Sequence, residues 1–140
     1  FSIATFGCRP FEYLKEVGWL SDRTWVAHCV MPNHDEIQAL GAAGIGAAHC
    51  PSSNLILASG ISPVVELRKA GVHVGLGVDG SASNDAAHML KEARQAMLLA
   101  RVGRGNQPPQ TKNGQTFFHL LFCRKKANSC KCFFEFGLKH

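Results

Sequence analysis

Residues 71–85 read GVHVGLGVDGSASND. Val72, Val74, Leu76 and Val78 alternate with His73, Gly75 and Gly77, the period of two that a pleated strand imposes. The apolar run ends in Asp79, and a Gly/Ser-rich turn then leads to Asn84-Asp85 at the head of a segment with helical spacing. A carboxylate just past the C-terminal end of a strand has two readings. It closes a loop, or it stands where α/β folds place their chemistry.

Two upstream stretches weigh between these readings. Arg23 to Cys29 (RTWVAHC) is expected to be a buried strand ending at His28, and Ile45 to Cys50 (IGAAHC) a short apolar strand ending at His49. One histidine beside an apolar strand is usually a core residue, but two at equivalent strand ends with an aspartate at a third favour function. Helical spacing fills the intervals. Cys8 to Leu20 places Phe11, Leu14 and Val17 on one face before Gly18. Pro32-Asn33 is a turn that can cap Glu36 to Ala43, where Ile37 and Leu40 face inward and Gly44 ends the helix. Pro51-Ser52-Ser53-Asn54 reads as a loop, and Ser62-Pro63 as a helix start with proline at the first helical position and Val64, Leu67 and Ala70 on its apolar face. Ala86 to Val102 keeps Leu90, Ala93, Met97 and Val102 in register. The order α-β-α-β-α-β-α implies parallel βαβ units. Three strands are too few for a closed (β/α)8 barrel of ~250 residues, so the pattern fits a small open sheet or the last part of a barrel. His34, His73 and His88 have no motif around them and read as surface or structural.

Composition bounds the class. At 140 residues, 46% hydrophobic and 18% charged, the chain is an ordinary globular one. No run approaches the ~18 apolar residues of a membrane span, and no basic-then-apolar leader opens the sequence. The expected location is cytoplasmic, with no membrane partner, although the chain begins with Phe1 rather than Met. Among six cysteines, Cys29 and Cys50 each follow a histidine at a strand end, which suits small core or site residues better than a disulfide framework. The charge is uneven. Up to Val102 eight Lys/Arg face nine Asp/Glu, whereas from Gly103 seven Lys/Arg face only Glu135. That last segment also holds six of nine Phe, so a boundary is expected there: residues 1–102 as one region and 103–140 as a basic, Phe-rich tail without a clean period.

VAHC at 26–29, AHCPSSNLILASGISPV at 48–64 and AGVHVGLGVDGSASND at 70–85 resemble the last third of amidohydrolase-superfamily deaminases, in the branch of 8-oxoguanine deaminase, guanine deaminase and the triazine hydrolases. The resemblance covers Phe6 to Val102. It implies an α/β fold made of about strands 6–8 of a metal-dependent (β/α)8 TIM barrel, incomplete in this chain. It further implies a hydrolase acting on carbon–nitrogen bonds other than peptide bonds, which deaminates a heteroaromatic small molecule such as an oxopurine. One divalent metal is implied, zinc or alternatively iron, as is a homo-oligomeric intact enzyme.

Residue by residue, Asp79 resembles the aspartate that binds the metal and takes a proton from its water. His28 resembles the histidine that closes the sixth strand and hydrogen-bonds the hydroxide or the substrate. His49 and the loop from Pro51 to Asn54, with Ser52 and Asn54 foremost, resemble a segment lining the substrate pocket, as do Ser81 to Asn84, with Ser81 and Asn84 foremost. Two patterns the family needs, a His-x-His pair and a His-x-x-Glu, are absent from these 140 residues. A metal held by Asp79 alone would lack the three or more protein ligands typical of catalytic sites. The chain is therefore expected to be an inactive deaminase fragment carrying an unrelated tail.

Two other classes compete for the tail. Arg124-Lys125-Lys126 among aromatics would suit an arm that binds nucleic acid or another acidic partner, although without repeating aromatic spacing a disordered extension is the plainer expectation. Cys123, Cys130 and Cys132 with His119 or His140 would suit a small zinc site, on weak spacing.

Overall fold

The computed structural model describes residues 1–102 and, as backbone only, two strands within 122–133. In chain order the elements are α1 (Ser2–Phe6), α2 (Pro10–Glu16), β1 (Trp25–Ala27), α3 (His34–Ala42), β2 (Gly46–His49), α4 (Pro51–Ile56), α5 (Val64–Lys69), β3 (His73–Leu76), α6 (Met89–Val102), β4 (Phe122–Lys126) and β5 (Ser129–Phe133). The chain divides into two compact units, Phe1–His49 with Ser62–Val74, and Cys50–Ile61 with Gly75–His140.

The first unit is built around parallel pairing. β1 and β2 align Val26 with Ala47 and Ala27 with Ala48 in a sheet of order β1-β2-β3. The His73 N–H adds a bond to the Ile45 carbonyl at 3.1 Å. Against these strands pack the inward faces of α3 and α5. Ile37, Leu40, Ile45, Ala47, Leu67, Val72, Val74 and Cys29 form one cluster, with Leu40, Ile45 and Leu67 fully buried. Each of those three contributes roughly 1.5–3 kcal/mol by leaving water. The helical periods at Ile37/Leu40 and Val64/Leu67/Ala70 therefore face the core as their spacing predicts.

Local chemistry fixes where the helices begin and how closely they pack. The Asn33 side chain accepts from the Glu36 N–H at 2.8 Å while Glu36 Oε2 accepts from the Asn33 N–H at 2.7 Å, a reciprocal cap that starts α3. Arg9 reaches the same carboxylate and also donates to the Met31 carbonyl. Gly41 lies so close to the Ala70 carbonyl that a Cβ there would overlap it, which sets the approach of α3 to α5.

Several expectations are corrected. The strand expected across 23–29 is three residues long and not buried: Trp25 is 69% exposed and Ala27 is exposed, leaving Val26 half-buried. β1 is the outer strand of the sheet order, so its alternation turns only Val26 toward the core. The helix expected over 8–20 shortens to α2, with Pro10 in its first turn and Gly18 at φ 75° just beyond its end, and Val17 is exposed. α1 was not foreseen from the sequence. Pro51 to Asn54 is not a loop but most of α4, because Pro51 takes the first helical position and the Asn54 N–H bonds the Cys50 carbonyl at 3.0 Å. Pro63 caps α5 rather than opening it. His34, His73 and His88 are exposed, as expected.

In the second unit α4 packs against α6. β4 and β5 pair antiparallel, with Cys123 opposite Cys132 and Lys125 opposite Cys130. The expected linker, the basic arm and the cysteine zinc site all fall on residues or side chains outside those described, His119 and His140 included. Among the described residues no helix is long and apolar enough to cross a membrane.

Candidate active site

Asp79 follows β3 by three residues, and its backbone is left-handed at φ 63°. Aspartate tolerates that region better than most residues, yet outside glycine it is a strained choice, and such strain concentrates at functional positions. Behind Asp79 the loop closes on itself. The Ser83 and Asn84 N–H groups donate to the Gly80 carbonyl at 3.1 and 3.0 Å, and Asn84 Nδ2 donates to the Val78 carbonyl at 2.7 Å.

This loop is joined to α4 and α6 by buried polar groups. Ser53 Oγ, fully buried, donates to Asp79 Oδ2 at 2.6 Å and lies 2.9 Å from Ser83 Oγ. Ser83 Oγ lies 3.2 Å from the same carboxylate oxygen. Glu92, only 1% exposed, accepts from the Ser52 N–H at 3.0 Å and from Asn84 Nδ2 at 2.9 Å. Hydrogen bonds to a charged acceptor are worth about 1.5–3 kcal/mol, so this arrangement can hold a polar interior that apolar packing would otherwise fill.

The residues singled out from sequence fall as follows. Asp79, Ser52 and Asn84 join the hydrogen-bonded network of the second unit. Asn84 is buried, with its two amide hydrogens directed to Val78 and Glu92, so here it builds the loop. Asn54 is buried on α4, and Ser81 is exposed at the tip of the turn. His28 and His49 belong to the first unit. His28 follows β1 at φ 63°, with its N–H on the Ala48 carbonyl at 2.9 Å, and His49 is the buried last residue of β2. Cys29 continues the left-handed backbone at φ 46°, and its carbonyl accepts from Ser62 Oγ at 2.9 Å. Burial, and secondarily the charge of Glu36, push the Cys29 thiol up to about 11, so it stays protonated near neutrality and does not suit a nucleophile.

Sequence reading missed Glu92, and it placed Ser53 and Ser83 within pocket-lining segments without singling them out. Ser53 stands beside Ser52 in a run of turn-forming residues, where nothing marks one hydroxyl over the other. Glu92 has a signal in retrospect: it adjoins Ala93 in the apolar stripe of α6, at a position that turns inward.

The donor chemistry bears on a metal. A carboxylate oxygen such as those of Asp79 is a ligand that zinc accepts. Among the described residues, however, no group of three or more His, Cys, Asp or Glu is arranged to hold an ion. The residues present fit as contributors to a site, not as the whole of one.

The profile of the amidohydrolase family matches residues 2–115. This chain belongs to the amidohydrolase family. It is 58% identical over 105 residues to 8-oxoguanine deaminase from Pseudomonas aeruginosa, covering 75% of this chain and 23% of that protein. Among solved structures it superposes on a zinc-bound adenosine deaminase from Xanthomonas campestris with a TM-score of 0.71 at 38% identity, covering 74% of this chain and 24% of the other. It also superposes on the zinc complex of atrazine chlorohydrolase from Arthrobacter aurescens, with a TM-score of 0.73 at 39% identity over 76% and 24%. The chain thus spans about a quarter of the length of the relatives it matches. The amidohydrolase fold here is the α/β architecture of a partial TIM barrel, with β1 and β2 as parallel barrel strands.

Proposed function

We propose that this amidohydrolase stretch supplies the late strands of a metal-dependent hydrolase that removes an amino group from a heteroaromatic ring of the oxopurine kind. The observation that carries the reading is Asp79: an exposed carboxylate three residues beyond β3, on a left-handed backbone, with one oxygen held by a buried hydroxyl. The relatives named for 8-oxoguanine and adenosine support an aromatic nitrogen heterocycle as substrate.

Asp79 would hold the metal with its carboxylate and accept the proton of the attacking water. A bound divalent metal would supply a water whose pKa falls to ~7, acidic enough to lose that proton near neutrality. His28 would hydrogen-bond the attacking water or the ring substituent through its imidazole. Water oxygen adds to the ring carbon, the carbon–nitrogen bond breaks, and the proton taken by Asp79 leaves with ammonia. Zinc is the metal favoured by the neighbours, and the remaining ligands would come from the rest of a barrel.

The test is a chimera in which residues 1–102 replace the matching stretch of the Pseudomonas aeruginosa 8-oxoguanine deaminase. Ammonia release from 8-oxoguanine that requires zinc and disappears in Asp79→Asn supports the reading. Full activity in that variant overturns the role of Asp79.

A further inference from the structure

We infer that Ser53 is a positioning residue for Asp79, acting through its buried hydroxyl on one carboxylate oxygen. The inference rests on the reading of Asp79 given above and goes beyond it, because neither the sequence pattern nor the family assignment distinguishes Ser53 from its neighbour Ser52.

Three observations carry it. Ser53 Oγ meets Asp79 Oδ2 at 2.6 Å, at the short end for a hydroxyl donating to a carboxylate, a charge-assisted contact about twice as strong as a neutral one. The Ser53 side chain is fully buried while Asp79 is exposed, so the hydrogen bond ties a surface carboxylate to an interior hydroxyl. The anchor is itself anchored. Glu92 fixes the start of α4 through the Ser52 N–H, and it fixes the Asp79 loop through Asn84 Nδ2. The two segments that bring Ser53 and Asp79 together are thus held by one buried carboxylate on α6.

Proton counting settles direction. A hydroxyl carries one hydrogen, and the shortest contact of Ser53 Oγ is to Asp79 Oδ2, so Ser53 donates there. Ser83 Oγ, 2.9 Å from Ser53 Oγ, then has three acceptors for its one hydrogen: Ser53 Oγ, Asp79 Oδ2 at 3.2 Å and the Gly80 carbonyl at 3.3 Å. Both hydroxyls lie within hydrogen-bond distance of the same oxygen, Ser53 much the closer. One oxygen of Asp79 is therefore held from the protein side, which is how groups behind a metal ligand tune affinity and rate.

The experiment uses the chimera described above, prepared as Ser53→Ala, Ser53→Thr, Ser53→Cys and Asp79→Asn. Zinc affinity by calorimetry, kcat, KM and a thermal melt are read on each. Ser53→Ala is expected to weaken zinc binding about 10–100-fold and to lower kcat by a similar factor, with KM changed less than threefold. Ser53→Thr, which keeps the hydroxyl, is expected to recover most of both. Should Ser53→Ala fail to fold, Ser53→Cys decides, since a thiol keeps the packing and donates weakly. Wild-type zinc affinity and kcat in a folded Ser53→Ala or Ser53→Cys, with Asp79→Asn inactive, overturn the inference and leave the reading of Asp79 standing. An active Asp79→Asn overturns that reading instead.

Discussion

Arg9 and Glu36, 27 residues apart, meet in a two-point ion pair: Nε donates to Oε1 at 2.8 Å and Nη2 to Oε2 at 2.9 Å. The hydrogen bond from Arg9 holds the Glu36 carboxyl below its ordinary 4.5, with burial opposing and the Asn33 N–H assisting. A lowered folded value means the stabilisation is present above the ordinary carboxylate range and lost as pH falls through the folded value. Arg9→Ala is expected to destabilise the fold at pH 7, because it leaves a buried carboxylate with the Asn33 N–H but without its ion-pair partner. Urea melts of the pair at pH 7 and pH 3 should show the difference shrinking in acid. An equal loss at both pH values would mean that packing, not charge, is what Arg9 contributes.

Gly41→Ala would ordinarily stabilise a helix interior by roughly 0.5–1 kcal/mol. Here the added methyl would meet the Ala70 carbonyl, so the sign is expected to reverse, with a net loss of about 1–3 kcal/mol from overpacking between α3 and α5. Chemical denaturation checks it, and any gain in stability would show that the two helices separate at little cost.

Glu92→Gln keeps shape and removes charge, but only one of its two terminal atoms can still accept. The Ser52 N–H and the Asn84 amide donate to different oxygens of Glu92, so the variant leaves one donor facing another donor. About 1–3 kcal/mol should be lost. Glu92→Gln with unchanged stability would show that the network has a further acceptor within reach.

His28 at φ 63° offers a contrast between shape and chemistry. Asparagine accepts a left-handed backbone readily, whereas a β-branched residue does so only as an outlier. His28→Asn is expected to melt above His28→Val, and His28→Val to lose roughly 1–3 kcal/mol from backbone strain. Equal melting of the two variants would remove backbone strain from the description of this position.

How much of this was legible beforehand depended on which physical signal each feature leaves. The three strands were readable because alternation at Val72, Val74 and Leu76 and the apolar runs before His28 and His49 obey short-range rules, but only β2 ends where expected: β1 stops at Ala27 and β3 at Leu76, three residues short of Asp79. The inward stripes at Ile37/Leu40 and Val64/Leu67 were readable for the same reason. Trp25 misled, because its size argues for burial while its place on an outer strand leaves it exposed. Pro51 to Asn54 misled too, since those residue types serve turns and first helical turns alike. Ser53 left no local trace, and Glu92 only its place beside Ala93 on the inward side of α6. Their importance comes from partners 26 and 40 residues away in the chain, a relation that no window of sequence contains.

The Ser52 N–H pointing at the Glu92 carboxylate also makes a spectroscopic handle. An amide proton aimed at a buried anion resonates well downfield and exchanges slowly with deuterated solvent. That single resonance would report, in a tube holding no substrate, metal or assay reagent, whether the polar knot behind Asp79 has formed and how often it opens.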